Sequence, residues 1–258
     1  MKKIVLFVIL GLVVAGAGVG IYVMRPSAEA SAPIQAMPVQ VQQQPTATQA
    51  QASAVEVQPL PTPTPAQAAA PAEANSAEGN GVVVYQIVQD ESSVSFSLDE
   101  ILRGSPFTPV GTTNQVAGEI AVDFKNATVQ LGVIQVNART LQTDSNFRDR
   151  AIRNEILDTG TYEMITFTPK SIDGLPQSAQ PGDEVSVSIT GDLTIRNITQ
   201  EVTFTGKVKL ASMDRLEGAA TATVLRTDYD LVIPSVPSVA DVSDDVRLEI
   251  QFVAVKKS

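Results

Sequence analysis

From residue 82 to the C-terminus, apolar and polar positions alternate with a period of two, in eight segments. Val94, Phe96 and Leu98 alternate with Ser93, Ser95 and Ser97. Val116, Gly118, Ile120, Val122 and Phe124 alternate with Ala117, Glu119, Ala121 and Asp123. Residues 129–138 read as a strand whose phase slips at Val133-Ile134, as at a bulge. Residues 162–168 predict a fourth strand, stopped by Pro169. Val185, Val187, Ile189, Gly191, Leu193 and Ile195 form a long alternation, as do Val202, Phe204, Gly206, Val208 and Leu210. Leu216, Gly218, Ala220, Ala222 and Val224 form a weaker one, and Val246, Leu248, Ile250, Phe252 and Ala254 close the chain. Such a pattern puts one face of each strand in a core and the other in water.

The joints are turn-like: Asp173-Gly174, Pro181-Gly182 and Arg196-Asn197. One stretch, residues 145–157, predicts a helix capped by Asp144 or Ser145, with Phe147, Ile152 and Ile156 as its buried stripe. Eight antiparallel strands joined by hairpins predict an all-β, up-and-down barrel, with a sandwich as the second choice. A barrel of that size is filled by side chains or holds one small ligand. Gly118, Gly191, Gly206, Gly218, Ala220 and Ala222 fall on inward positions. Either they leave room in the lumen, or the glycines mark bends at barrel corners; periodicity does not separate the two.

The pattern before residue 81 is different. Residues 4–24 carry no charge, follow Lys2-Lys3 and end at Arg25. As a helix they would span roughly 31 Å, about one hydrocarbon core, and the positive flank predicts that everything after Arg25 lies outside the cytoplasm. Residues 1–25 are therefore read as a signal anchor and single transmembrane helix. Small-residue sites at Ala15-Gly16-Ala17 and Ala28-Glu29-Ala30 leave secretion after cleavage as the alternative. Gly11, Gly16, Gly18 and Gly20 would suit helix pairing, and so a homodimer. Residues 26–80 are mostly Pro, Ala, Gln, Ser, Thr, Val and Glu, with nine of the sixteen prolines between Pro26 and Pro71. They predict a disordered linker, a coil with a root-mean-square span of roughly 40 Å. Residues 81–258 form the folded domain.

Composition removes several functions. The chain has no Cys and no His, so Ser-His-Asp catalysis, thiolate chemistry and His-ligated zinc are excluded. Residues 81–258 hold 15 Lys/Arg against 24 Asp/Glu, a net charge of −9, which argues against nucleic acid and against attraction to anionic lipid. Glu119 and Asp123 share a strand face, but the polar one, so they form no walled acid/base pair. Asp241, Asp244 and Asp245 lack the spacing of a calcium loop. No enzyme activity, cofactor or metal is expected.

Several segments, in order, resemble the YceI-like family: ESSVSFSL, VAGEIAVDF, TLQTDSNFRDRAIRNEIL, TYEMITFTPKSI, VSVSITGDLTIRNITQEVTF and LRTDYDL followed by VSDDVRLEIQFVAVK. The more specific pieces are Thr143 with Arg148-Asp149, the Gly191–Ile195 strand followed by Thr199 and Val202, and Arg226-Thr227-Asp228. The resemblance covers residues 84–257. It implies an extended, lipocalin-like eight-stranded barrel, usually exported, that buries a long polyisoprenoid or similar amphiphile without metal. Where the family often has His, near the first strand and after Arg-Asp, this chain has Leu98-Asp99-Glu100 and Arg150-Ala151-Ile152. Headgroup contacts by those histidines do not carry over.

A binding lumen needs an apolar wall and a few polar groups at its mouth. Inward parity nominates Phe96, Leu98, Ile120, Phe124, Val187, Ile189, Phe204, Val208, Ala220, Ala222, Leu248 and Phe252 as the wall. Arg148, Arg150 and Arg153 are the candidates for an anionic headgroup, against the plainer reading of a solvated helix face paired with Asp149 and Glu155. Two functions stay open on these residues: a carrier for an apolar lipid or isoprenoid, and a structural or interaction domain with a filled core.

Overall fold

The computed structural model describes residues 26–31, 33–40 and 81–258. The expected membrane helix and most of the linker lie outside these. Among the described residues no helix is long and apolar enough to cross a membrane. The strands are β1 (Val82–Ile87), β2 (Ser93–Ser97), β3 (Glu100–Leu102), β4 (Ser105–Phe107), β5 (Val110–Thr113), β6 (Val116–Ala117), β7 (Glu119–Asp123), β8 (Thr128–Leu131) and β9 (Ile134–Asn137). Helix α1 (Asn146–Ala151) follows, running into one turn of π-helix at Ile152–Ile156. Then come β10 (Met164–Asp173), β11 (Glu184–Ile195), β12 (Ile198–Ser212), β13 (Arg215–Leu225), β14 (Val239–Ala240) and β15 (Asp245–Lys256).

All pairings are antiparallel, and the main sheet runs β6-β9-β10-β11-β12-β13-β15-β1-β7-β8. Its two ends meet. β6 and β7 are successive parts of one strand interrupted at Gly118, and β8 and β9 of another interrupted at Gly132-Val133. The strand 116–123 pairs with β1 on one side and with β8 and β9 on the other. The result is a strongly curled, lipocalin-like antiparallel sheet with one short helix. The break at Gly132-Val133 is the irregularity that the phase slip at Val133-Ile134 predicts.

Several expectations need correction. A strand carrying Tyr85, β1, precedes the eight alternating segments: β1 and β2 both pair with β15, joined by a tight turn at Gln89–Glu91. Pro169 does not end the fourth strand. β10 continues to Asp173 through a bulge between Pro169 and Ser171. Its other edge pairs with β9 only as far as Phe167, so the missing Pro169 N–H takes no ladder bond away. In the helix, Ser145 is the cap, accepting from Arg148 N at 3.4 Å, and Ile152 is buried. Phe147, expected inside, is 47% exposed.

The two ends of the curled sheet differ. At one end, here the helical end, lie α1, the loops 138–163 and 226–244, and a small three-stranded sheet in the order β14-β3-β4. At the other, the loop end, lie the turn 124–127, the loop 174–183 and the turn Met213-Asp214.

Part of the expected linker is docked. Residues 26–31 and 33–40 form no helix or strand and lie against the domain through hydrogen bonds. Arg139 Nη1 donates to the Glu29 carbonyl at 3.0 Å. Ser31 donates its N–H to Glu163 Oε1 and its hydroxyl to Oε2, both at 2.7 Å. Gln89 Nε2 donates to the Ile34 carbonyl at 2.6 Å, and Val39 N–H donates to Glu119 Oε2 at 2.9 Å. At Gly132 a β-carbon would come within 3.5 Å of Val39 and 3.7 Å of the Met37 carbonyl.

Candidate functional site

Inside the curled sheet is a cavity of about 270 Å³. It runs from Leu141, Leu193 and Ile195 at the helical end to Leu175, Pro176, Ala179 and Asp183 at the loop end. The residues at the first extreme are buried, whereas Pro176 and Asp183 are exposed. The helical end is therefore the floor and the loop end the mouth. From Ile195 to Val185 along β11 the cavity follows ten residues; at about 3.3 Å per residue and a barrel-like tilt this is roughly 25 Å of axis. A small volume over that length makes a thin channel, shaped for a chain.

Its wall is almost wholly apolar. The charged side chains beside it are Asp183, exposed at the mouth, and Glu249, which accepts from Gln251 Nε2 at 2.8 Å on the polar face of β15. Phe167 and Phe204 meet edge to face at 5.1 Å on the wall between β10 and β12.

The small inward residues divide: Ala220 borders the cavity, Gly118 marks a break in its strand, and others lie against aromatic rings. None of the glycines lines the cavity. A β-carbon at Gly218 would fall 2.7 Å from the Phe252 ring, at Gly111 2.2 Å from the Phe96 ring, and at Gly191 2.8 Å from the Phe167 ring. Gly218 and Gly111 are the cross-strand partners of Phe252 and Phe96. At Gly218 and Gly111 the missing side chain leaves room for the phenylalanine ring against the neighbouring strand, whereas at Gly191 the nearest atom is the Thr168 carbonyl oxygen, at 2.5 Å. Gly218 and Gly111 thus open the channel indirectly.

Of the twelve nominated wall residues, Phe96, Ile120, Phe124, Val187, Ile189, Phe204, Val208, Ala220, Leu248 and Phe252 are on the cavity. Two are not. Leu98 lies just past the end of β2, where the chain has left the curled sheet. Ala222 has the inward parity, but it sits in the packed cluster with Leu157, Val202, Val224 and Tyr229. Parity also indicates Val94, Val122 and Ile250, which line the cavity beside their named neighbours. Leu175, Pro176 and Ala179 belong to a loop without periodicity, and no pattern announces them.

None of the three arginines nominated for a headgroup borders the cavity. Arg148 is held by Asp144 and, at 3.0 Å, by Glu100, with its guanidinium 5.5 Å from the Phe107 ring centre. Arg153 donates to the Arg139 carbonyl at 3.3 Å. Arg150 is exposed on α1. The neighbouring residues that carry the family resemblance build the helical end. Asp149, buried, accepts from Thr143 N–H and hydroxyl at 2.7 Å each. Thr227 donates its hydroxyl to Asp244 at 2.6 Å, and Arg226 ties the Ser243 and Leu231 carbonyls.

Two acidic side chains on the outer face are satisfied by the docked segment. Glu119, read from the sequence as a solvated polar position, is 2% exposed and is bonded by Val39 and by Lys257 Nζ at 2.8 Å. Burial pushes the Glu163 carboxyl up, but hydrogen bonds from Ser31 and Asn137 and the charge of Arg139 hold it below its ordinary value.

An apolar channel lies inside a curled, lipocalin-like antiparallel sheet, and no cluster of metal-ligating side chains is found among the described residues. Residues 85–254 match the model of the YceI-like domain, and the chain belongs to that family. It is 31% identical over 99 residues to Protein YceI of Escherichia coli O6:H1, across 38% of this chain and 48% of the relative. The match thus spans about half the length of that relative. It is 25% identical over 148 residues to UPF0312 protein VVA0736 of Vibrio vulnificus, across 57% of this chain and 74% of the relative. Among solved structures it resembles a polyisoprenoid binding domain from Saccharophagus degradans implicated in plant cell wall breakdown, with TM-score 0.54 and 13% identity, covering 68% of this chain and 99% of that one. It also resembles BcnA of Burkholderia cenocepacia, with TM-score 0.51 and 17% identity, covering 66% of this chain and 99% of that one.

Proposed function

We propose that this chain is a membrane-tethered, extracytoplasmic binding protein that holds a long apolar amphiphile in the lumen of an eight-stranded barrel. The ligand class is a polyisoprenoid, an isoprenoid quinone or a similar single-chain lipid. The observation that carries the reading is the channel: roughly 25 Å long, thin, and apolar from floor to mouth. Its 270 Å³ lies just under the usual range of ligand pockets, roughly 300–1,000 Å³. A filled core would have no such continuous space, because interiors pack to crystal-like density with few voids larger than a water. The Saccharophagus relative of the same fold is described as binding polyisoprenoids, which agrees with this ligand class. Tethering and location rest on the uncharged residues 4–24 behind Lys2-Lys3. Binding is the activity proposed, and the almost wholly apolar lumen wall supports it.

The test is organic extraction of the full chain purified in detergent, with mass spectrometry of the extract, followed by uptake of an isoprenoid quinone by the stripped protein. A stoichiometric long-chain lipid, or saturable uptake, is the expected result. A clean extract together with no uptake would overturn the reading in favour of a structural domain.

A further inference from the structure

The docked segment changes what the linker does. A free coil from residue 26 to residue 80 would let the domain wander roughly 40 Å from its anchor, in any orientation. In the structure the linker is fixed to the domain almost at once. Glu29 is bonded by Arg139 and Ser31 by Glu163, and both partners belong to the helical end. From there the segment runs toward the middle of the sheet, past Gln89 to Glu119 and Gly132. Four Cα–Cα steps, with three residues between, separate Arg25 from Glu29. Fully extended they reach about 14 Å.

A second observation points to the same end. Among the described residues, six large apolar side chains are exposed, and four of these, Val110, Phe147, Leu225 and Val232, are at the helical end. Val232 is 74% exposed, in the loop 226–244. Exposed apolar side chains gathered at the end nearest an apolar anchor fit a lipid surface. The domain's acidity makes the contact one of apolar side chains with lipid, not of charge with anionic headgroups.

We propose that residues 26–40 are a strap that holds the helical end of the domain against the bilayer carrying residues 4–24, with the mouth of the channel turned away from that bilayer. This rests on the membrane-anchor reading above. It adds an orientation, and with it a consequence: ligand is exchanged through a mouth facing away from the anchoring membrane.

The absence of cysteine allows one fluorophore per molecule. The full chain would be labelled at Val232→Cys or at Met213→Cys, at opposite ends, and reconstituted into phosphatidylcholine vesicles containing a nitroxide-headgroup phosphatidylcholine. Quenching several-fold stronger at 232 than at 213 is expected. Ser31→Pro, which removes both donors to Glu163, should erase the difference while leaving the melting temperature unchanged. Val39→Pro, which removes the donor to Glu119, is the second variant and should weaken it. Equal quenching at both positions, unaltered by either variant, in protein that still floats with the vesicles would overturn the strap and leave the anchor intact. Protein that does not float would overturn the anchor, and the orientation with it.

Discussion

The helical end and the loop end of the curled sheet are walled by the same strands with the same alternation, yet the channel is closed by a plug at one and opens at the other. The difference comes from the connections. At the helical end Leu141, Ile152, Leu157 and Tyr229, all supplied by segments between strands, fill the space inside the sheet against Leu193, Ile195 and Val224. At the loop end the connections are tight turns and the loop 174–183, whose Leu175, Pro176 and Ala179 border the channel, and the buried cluster on that side, with Tyr85, Ile120, Leu210 and Leu216, comes from the strands themselves. Strand alternation therefore specifies a wall, and the inserted segments decide whether that wall encloses a core or a channel.

The strongest test removes the plug. Tyr229 is 1% exposed and central to the packed cluster. Tyr229→Ala should cost about 3–5 kcal/mol, the range for deleting a large buried aromatic side chain. Urea denaturation measures it. A loss below about 1 kcal/mol would mean that the helical end is not a packed core, and the contrast between the ends would fall.

The next test uses two residues on one strand face. Ala220 borders the channel; Ala222, its neighbour of the same parity, sits in the plug. Ala222→Phe should cost about 1–3 kcal/mol by overpacking, with quinone uptake retained. Ala220→Phe should leave the stripped protein nearly as stable and weaken uptake tenfold or more. Gly218→Val belongs with it: the new side chain must push the Phe252 ring off the wall and into the lumen, so uptake should fall. If Ala220→Phe and Ala222→Phe behave alike, the boundary between floor and plug is misplaced.

This pair also marks how far the sequence is legible. Period two identifies the face of Ala220, Phe252 and Phe204, and it identifies the face of Ala222 equally well. It says nothing of Tyr229 or Leu141, which reach the interior from segments without periodicity, or of Leu157, at the end of the helical segment. That is why Ala222 was expected on a lumen wall it does not border. Leu98 fails for a related reason: its alternation continues past the last residue of β2 that pairs with β15. Phe147 suits the helical stripe, but the helix is only six residues long before it widens into the π turn, so that face turns outward. The strap is the least legible element. Its composition is that of a linker, and it docks through backbone groups and two carboxylates 80 or more residues away in sequence, a contact that no local pattern encodes.

Smaller still is the effect of the two buried phenols, one at each end. Tyr85, fully buried, donates to the Met213 carbonyl at 2.7 Å at the loop end. Tyr229, at the helical end, has a buried hydroxyl with no hydrogen-bond partner among the described residues. Burial, helped by Asp214 for Tyr85 and Asp228 for Tyr229, pushes both up to about 12. A phenol ionises to an anion, so a raised value means that the folded state keeps its proton where the unfolded chain, near 10, has lost it. The contribution to stability is complete below pH 10 and disappears as pH rises through 12. Phenolate absorbance should therefore show two late tyrosines, and stability should fall between pH 10 and 12. The ends then separate under mutation. Tyr85→Phe leaves the Met213 carbonyl without its donor and should cost about 1 kcal/mol. Tyr229→Phe removes a hydroxyl that bonds to nothing and keeps the ring, so stability at neutral pH should be equal or higher. In each variant one late ionisation should vanish from the titration. Equal losses in the two variants would show that the Tyr229 hydroxyl has a partner after all, and that the plug contains a polar contact where the structure shows a dry one.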